Sequence, residues 1–357
     1  MSIYNLSTFW NGDIMLSLCV FDVSSLVYRG SAGDRSSWYG LPTGGMKYLM
    51  DRIALSVVER DSIVLCFDSP SFRKDVFSGY KADRSYNPDV HWQVSKLYDT
   101  LGSCGIRCEK HDGFEADDII EWAVDAHSEK FNQTIIYSND ADICHSVRNG
   151  VVLSTLSDDM NDITPSTFEY GIEKGKRILY NTISAYKTLC GCRSDKIPSF
   201  VSESGLRGAD LYAMWCTFAQ KVGPLSDRNI GPNKQIMRIF VDKLNAFTEK
   251  DREELRKRIE LVYPAEKPAE ISIEPVKVSE IDKDALRNFC ELYGLRSAMK
   301  CMRMRSYPLS ENDKKRLYDE ARMLKSGEYA ADKNINSMSS MSSQVLSIDS
   351  FTKGFTG

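Results

Sequence analysis

No CxxC pair occurs in this chain, although it carries ten cysteines among 357 residues. Cys104/Cys108 and Cys190/Cys192 lack the second pair that a zinc site needs. No secretory signal supports a disulfide framework either. The apolar run Ile14–Phe21 is too short to span a bilayer and ends at Asp22. Without a sign of an oxidising compartment, the cysteines read as reduced and buried, in a cytoplasmic protein. Histidines number four and are scattered, which excludes a His-rich metal centre. The net charge of −4 excludes a uniformly basic nucleic-acid binder, but not a local basic stripe beside an acidic site. Internal repeats are absent too.

What is present is the composition of an ordinary globular protein, with 42% hydrophobic and 27% charged residues. Three short apolar runs, 15–21, 62–67 and 134–138, read as strands covered on both faces. Helical spacing lies between them, over 43–59, 91–102 and 115–129. Strand alternating with helix predicts a doubly wound α/β domain with a mostly parallel sheet. The expected organisation is an α/β core over 1–175, a mainly helical region over 176–326 and a flexible tail over 327–357. Within the helical region, 249–262 is a strongly charged helix. Residues 264–280, with three prolines, read as a linker or extended arm.

Carboxylates gather where those strands end. Asp22 follows the first strand, Asp68 the second, and Asp140 and Asp142 the third, while Glu115, Asp117 and Asp118 open a helix. A doubly wound sheet binds ligands beyond the carboxyl ends of its strands, so separate strands deliver acids to one edge. Each piece has a structural use of its own: first-turn acids favour the helix dipole, and an Asp after a strand caps or turns. Together, so many acids repel one another unless a cation compensates them, which points to a hard divalent metal held by oxygen.

These segments resemble the 5′-nuclease family, which includes the N-terminal domain of bacterial DNA polymerase I, phage 5′-exonucleases and flap endonucleases. The likeness rests on FDVSSLVYRG (21–30), LPTGGMKYL (41–49), FDSPSFRKDVFSGYKADR (67–84), GFEADDII (113–120), SNDADI (138–143) and CGCRSDKIPSF (190–200), in family order. DKDALRNFCELYGLRSAMK (282–300) resembles a helical piece that closes many members. The resemblance implies a PIN-like 5′-nuclease core with a helical arch over about 70–100. It implies Mg²⁺, with Mn²⁺ as a substitute, held by Asp22, Asp68, Glu115, Asp117 and Asp118 at one site and by Asp140, Asp142 and Asp195 at a second. The metals would generate hydroxide and stabilise charge on the attacked and leaving oxygens. Lys81 would contact the scissile phosphate, Arg84 would orient it, Tyr80 would stack on a terminal base and Arg73 would sit nearby. Gly205 and Gly208, in a loose likeness to a helix–turn–helix, would offer backbone amides to phosphate.

Two departures bear on the second site: Cys192 stands where the family has its first Asp, and Lys196 where it has Asn. The resemblance therefore implies a 5′→3′ exonuclease or flap endonuclease acting on DNA or an RNA–DNA hybrid with a 5′ end or flap. The alternative is a catalytically weakened relative that binds branched nucleic acid as a replication accessory. A PIN-type ribonuclease, a third possibility, is opposed by the Tyr-Lys-x-x-Arg segment and the long helical half. A chain of this size without a polymerase domain suits a phage enzyme. The patch Gln344–Phe351 in the tail could dock a sliding clamp or a single-strand-binding protein.

Overall fold

The computed structural model describes residues 16–83, 85–154, 170–173, 176–178, 182–222 and 234–329. In chain order, the core opens with β1 (Ser17–Asp22), α1 (Val23–Gly33), the short pair β2 (Ser37–Trp38) and β3 (Leu41–Pro42), α2 (Gly44–Ser56) and β4 (Ser62–Cys66). It continues through α3 (Arg73–Val76), α4 (Pro88–Leu101), β5 (Cys108–Glu109), α5 (Ala116–His127), β6 (Gln133–Tyr137), β7 (Val151–Ser154), β8 (Tyr170–Glu173) and β9 (Lys176–Ile178). The second half holds α6 (Ile183–Cys190), α7 (Gly208–Val222), α8 (Lys234–Lys243), α9 (Glu249–Val262), β10 (Val276–Lys277), α10 (Lys283–Leu292), α11 (Arg296–Cys301) and α12 (Glu311–Ser326).

The sheet runs β10-β4-β1-β6-β7, with β5 also on β4. All of its pairings are parallel except that of β10. β1 shows why its apolar run does not alternate with polar residues: Cys19 and Phe21 pack on one side with α1, α2 and α4, while Leu18 and Val20 pack on the other with α5. Both faces are dry, so both sets of side chains are apolar. Register sets Asp22 level with Cys66 and Phe21 level with Tyr137. The ends of β1, β4 and β6 therefore share one edge. α1 and α2 approach closely because Gly44 and Gly45 carry no side chain; a Cβ at Gly44 would lie 1.8 Å from the Asp34 carbonyl oxygen.

The doubly wound fold agrees with the sequence reading, and two boundaries move. α4 buries Val90, Trp92, Leu97 and Leu101 in the core, so the expected arch over 70–100 cannot extend through this helix. Its apolar stripe serves packing. The division at 175/176 is also displaced. α6 to α9 form their own apolar cluster around Trp215 and Tyr263, but the chain then returns, and α10, α11 and α12 pack against α2 and α4. The proline-containing stretch 264–280 is the strap that makes this return. Trp122 Nε1 donates to the Ala265 carbonyl at 2.7 Å, Ile273 is buried, and β10 joins the sheet edge. Residues 330–357, including the Gln344–Phe351 patch, lie outside the described residues. Among the described residues no helix is long and apolar enough to cross a membrane.

Candidate active site

Asp22 ends β1 and caps α1. Its Oδ1 accepts the Ser25 amide at 3.1 Å, and its Oδ2 accepts from Ser138 Oγ at 2.7 Å. Burial, with Asp68's charge added, pushes its carboxyl up to about 7 despite those bonds. Asp68, just past β4, accepts the Ala116 amide at 2.8 Å and so steadies the start of α5. Asp140 caps the 3₁₀ turn Ala141–Ser146 by accepting the Asp142 amide at 3.0 Å. From that turn and from α5, carboxylate oxygens of Asp117, Asp140 and Asp142 all come within 4.8 Å of one another. Burial and the charges of Asp140 and Asp22 hold Asp117 well above the ordinary carboxylate range, and burial and Asp142 raise Asp140. Three acids on two elements thus converge where ionising them all is costly. An oxygen-only donor set under mutual repulsion fits a hard divalent cation.

Glu115 and Asp118, in the same motif, are engaged differently. Asp118 Oδ1 accepts from Arg73 at 2.7 Å and from the Ala265 amide at 2.7 Å; its Oδ2 accepts from Arg73 at 2.8 Å and from the Glu115 amide at 3.0 Å. These bonds take up the carboxylate's acceptor capacity. Burial alone would raise Asp118, but the Arg73 bonds and charge prevail and hold it below the usual range. Glu115 accepts from Arg73 at 3.3 Å, Tyr80 at 2.9 Å and Lys81 at 2.7 Å. Asp118, expected to hold the first metal directly or through water, and Arg73, expected to contact nucleic acid, instead make a buried bidentate pair with each other, with side chains 0% and 4% exposed. Arg73 also donates to the Leu261 and Tyr263 carbonyls, tying the arm to α9. Tyr80 is corrected likewise, since a ring 4% exposed, with its hydroxyl on Glu115, has no face for a base. Lys81 is half-buried with a left-handed backbone, φ 52°. Its charge acts on Asp117 and Asp140, which aims it at the acid cluster. Arg84 lies outside the described residues.

On the far side of the cluster stands a residue the sequence reading missed. Lys187, in α6, pairs with Asp142 and lies 3.8 Å from Asp195 Oδ2. Its signal is one lysine in an otherwise uncharged helix, ISAYKTLC. Cys192 donates its thiol to Asp195 Oδ2 at 3.2 Å, so the departure from the family pattern does sit beside that acid. Burial pushes this thiol up, which keeps it protonated and uncharged near neutrality. Lys196 turns away to pair with Asp83. Gly205 and Gly208 are corrected as phosphate contacts, because their amides donate to the Ser202 and Phe200 carbonyls at 2.9 and 2.8 Å. Gly208 is needed for packing; a Cβ there would lie 2.0 Å from the Leu189 carbonyl oxygen.

Residues 17–172 match the family model described as "5′-3′ exonuclease, N-terminal resolvase-like domain". The chain is 26% identical over 300 residues to a 5′-3′ exonuclease of Aquifex aeolicus, covering 80% of this chain and 95% of that protein. It is 28% identical over 216 residues to DNA polymerase I of Mycobacterium leprae, covering 56% of this chain but 22% of the polymerase. Among solved structures, the T5 5′-exonuclease with bound zinc is similar at a TM-score of 0.46 and 12% identity, over 86% of this chain and 99% of that one.

Proposed function

Since this chain belongs to the 5′-nuclease family, we propose that it is a divalent-metal-dependent 5′→3′ exonuclease or flap endonuclease, cutting phosphodiesters near 5′ ends of DNA or of RNA primers in replication or repair. The observation that carries this is the convergence of Asp117, Asp140 and Asp142, with the carboxyls of Asp117 and Asp140 forced upward, at the strand-end edge of a chain matching that family. Asp22, Asp117, Asp140 and Asp142 would hold the cation, with Asp68 and Asp195 flanking them. Mg²⁺ suits these oxygen donors, and Mn²⁺ would substitute. When bound, the cation supplies the acid strength that ionises water and positive charge against the phosphate. Lys81 holds a non-bridging phosphate oxygen, and Glu115 fixes the lysine's ammonium by accepting a hydrogen bond from it at 2.7 Å. The Arg73–Asp118 pair anchors this arm to α5. A host cytoplasm, a phage source and a clamp or single-strand-binding partner for the tail belong to the same proposal. The accessory reading is not favoured: the Aquifex relative is named an exonuclease, and Lys196 directs its charge to Asp83.

A 5′-labelled flap incubated with Mg²⁺, and with chelator instead, tests this directly. Release of a short labelled product only with Mg²⁺ is expected; intact flap in both would end the proposal.

The cation's effect on stability is expected to depend on pH. The Asp22 carboxyl, normally near 3.8, binds its proton up to about 7 in the folded state. A group raised in this way favours folding at low pH and loses that contribution as pH climbs to its folded value. A cation replaces those protons, so its effect is largest at alkaline pH. Mg²⁺ at about a hundred times its Kd stabilises by about 2.7 kcal/mol. Excess Mg²⁺ should raise Tm by several degrees at about pH 8 and much less at about pH 5.5. Equal shifts at both pH values would dissociate the cation from these carboxyls.

Cys192→Asp should lower the Mg²⁺ concentration for half-maximal cleavage about tenfold, because one more charge at close range strengthens cation attraction. Lys187 works against it from α6. Identical half-maximal concentrations and maximal rates would show that residue 192 does not face the cation.

A further inference from the structure

The acids expected to hold a second metal, Asp140, Asp142 and Asp195, do not come together in the folded chain. Asp140 and Asp142 converge with Asp117, and among the described residues this is the only group of carboxylate, thiol or imidazole donors that converges on one point. Asp195 stands outside it and faces other partners. Its Oδ2 accepts the Cys192 thiol at 3.2 Å and lies 3.8 Å from Lys187 Nζ, and the same ammonium pairs with Asp142. One lysine thus stands between the two acids that a second divalent cation would have to share.

The loop that carries Asp195 is fixed in this place. The Cys192 amide donates to the Ile197 carbonyl at 2.8 Å, and the Ile197 amide donates back to the Cys192 carbonyl at 2.9 Å. Asp195 sits inside this closed turn and is buried. Lys187 is held as well: its side chain is 12% exposed, and α6 packs against the 3₁₀ turn that carries Asp142. The cavity bordered by Asp117, Asp142, His145, Lys187 and Asp195 measures about 20 Å³. Such a volume admits about one water. Mg²⁺ ordinarily keeps several waters beside its carboxylates, so a hydrated divalent ion has no room next to the ammonium. Charge acts in the same direction. Asp142 and Asp195 bring two negative charges and Lys187 opposes them with one positive charge. The Cys192 thiol, which keeps its proton to bond Asp195, adds none.

These residues do not fit a second metal. We propose that the Lys187 ammonium is itself the second cation of the site, bridging Asp142 and Asp195, and that the chain binds a single divalent ion at Asp117, Asp140 and Asp142. The proposal rests on the nuclease reading and settles its metal count at one. The two cations then differ in task. An ammonium supplies positive charge but no open coordination position, so the ionisation of water stays with the single metal. Lys187 acts as a positioning residue: it holds Asp142 by Oδ1 and leaves Oδ2 to the divalent ion.

Counting bound metal without nucleic acid tests this. Mn²⁺ is titrated into the metal-free full chain, and free Mn²⁺ is read from its solution EPR signal. Wild type should take up one Mn²⁺ per chain. Lys187→Met combined with Cys192→Asp, which removes the ammonium and supplies a carboxylate, should take up two. Melting curves in Mn²⁺ establish that the double variant is folded. A wild-type chain that takes up two Mn²⁺ overturns the proposal whether or not the variant folds, and so does a folded double variant that still takes up one. A wild-type chain that takes up one Mn²⁺ but leaves a labelled flap intact would instead remove the nuclease reading and leave the ammonium in place of the second metal.

Discussion

Asp117→Asn is expected to reduce single-turnover cleavage by at least about a hundred- to a thousandfold, the loss typical when a preorganised group at the reacting centre is removed. The same substitution should leave the metal-free protein as stable as wild type, or more so. Asp117 sits among Asp22, Asp140 and Asp142, and its carboxyl is held well above its ordinary range by burial and by the charges of Asp140 and Asp22. Ionising it in the folded state costs free energy that an amide of the same shape does not incur. Function and stability therefore pull in opposite directions at this position, as they do where an active site stores repulsion. Quenched-flow cleavage of a labelled flap, together with urea unfolding in chelator, reads both quantities. A variant that cuts at the wild-type rate would end the argument for the carboxylate cluster.

Its neighbour should behave in the opposite way. Asp118→Ala should destabilise the protein by about 3–5 kcal/mol, because it leaves the Arg73 guanidinium buried without its counter-charge. Both side chains of the pair are almost fully enclosed, and the same carboxylate also accepts the Ala265 amide that starts the strap. Cleavage should fall as well, through loss of the arm's anchor. The unfolding midpoint separates the two positions: a large drop for Asp118→Ala and none for Asp117→Asn. If Asp118→Ala melts with wild type while losing activity, Asp118 acts at the metal after all and the pairing with Arg73 is secondary.

Much of this protein follows from local pattern. Apolar runs such as those ending at Asp22, Phe67 and Tyr137, separated by helical spacing, are enough to predict a parallel sheet. Parallel strands share a carboxyl edge, so the acids that follow them are brought together by topology alone. Asp22, Asp68, Asp140 and Asp142, which follow strands, could be placed at that edge for that reason, whereas Asp117 opens a helix and meets Asp140 and Asp142 only in the folded chain. Which carboxylates remain available to a cation was decided by tertiary structure. Asp118 and Arg73 are 45 positions apart, and nothing in GFEADDII distinguishes a ligand from a partner of buried arginine. Lys187 reaches Asp142 across the same separation, and Tyr80 is buried because its ring packs with Cys192, Ile197 and Leu261 while its hydroxyl bonds Glu115. α4 shows the same limit: its apolar stripe is visible in the sequence, but whether that stripe faces a substrate path or the core depends on α2 and α12 arriving from distant parts of the chain. Local sequence determines periodicity, caps and strand ends, because those depend on neighbours a few residues away. The identity of each buried charge's partner depends on segments that meet only when the chain has folded.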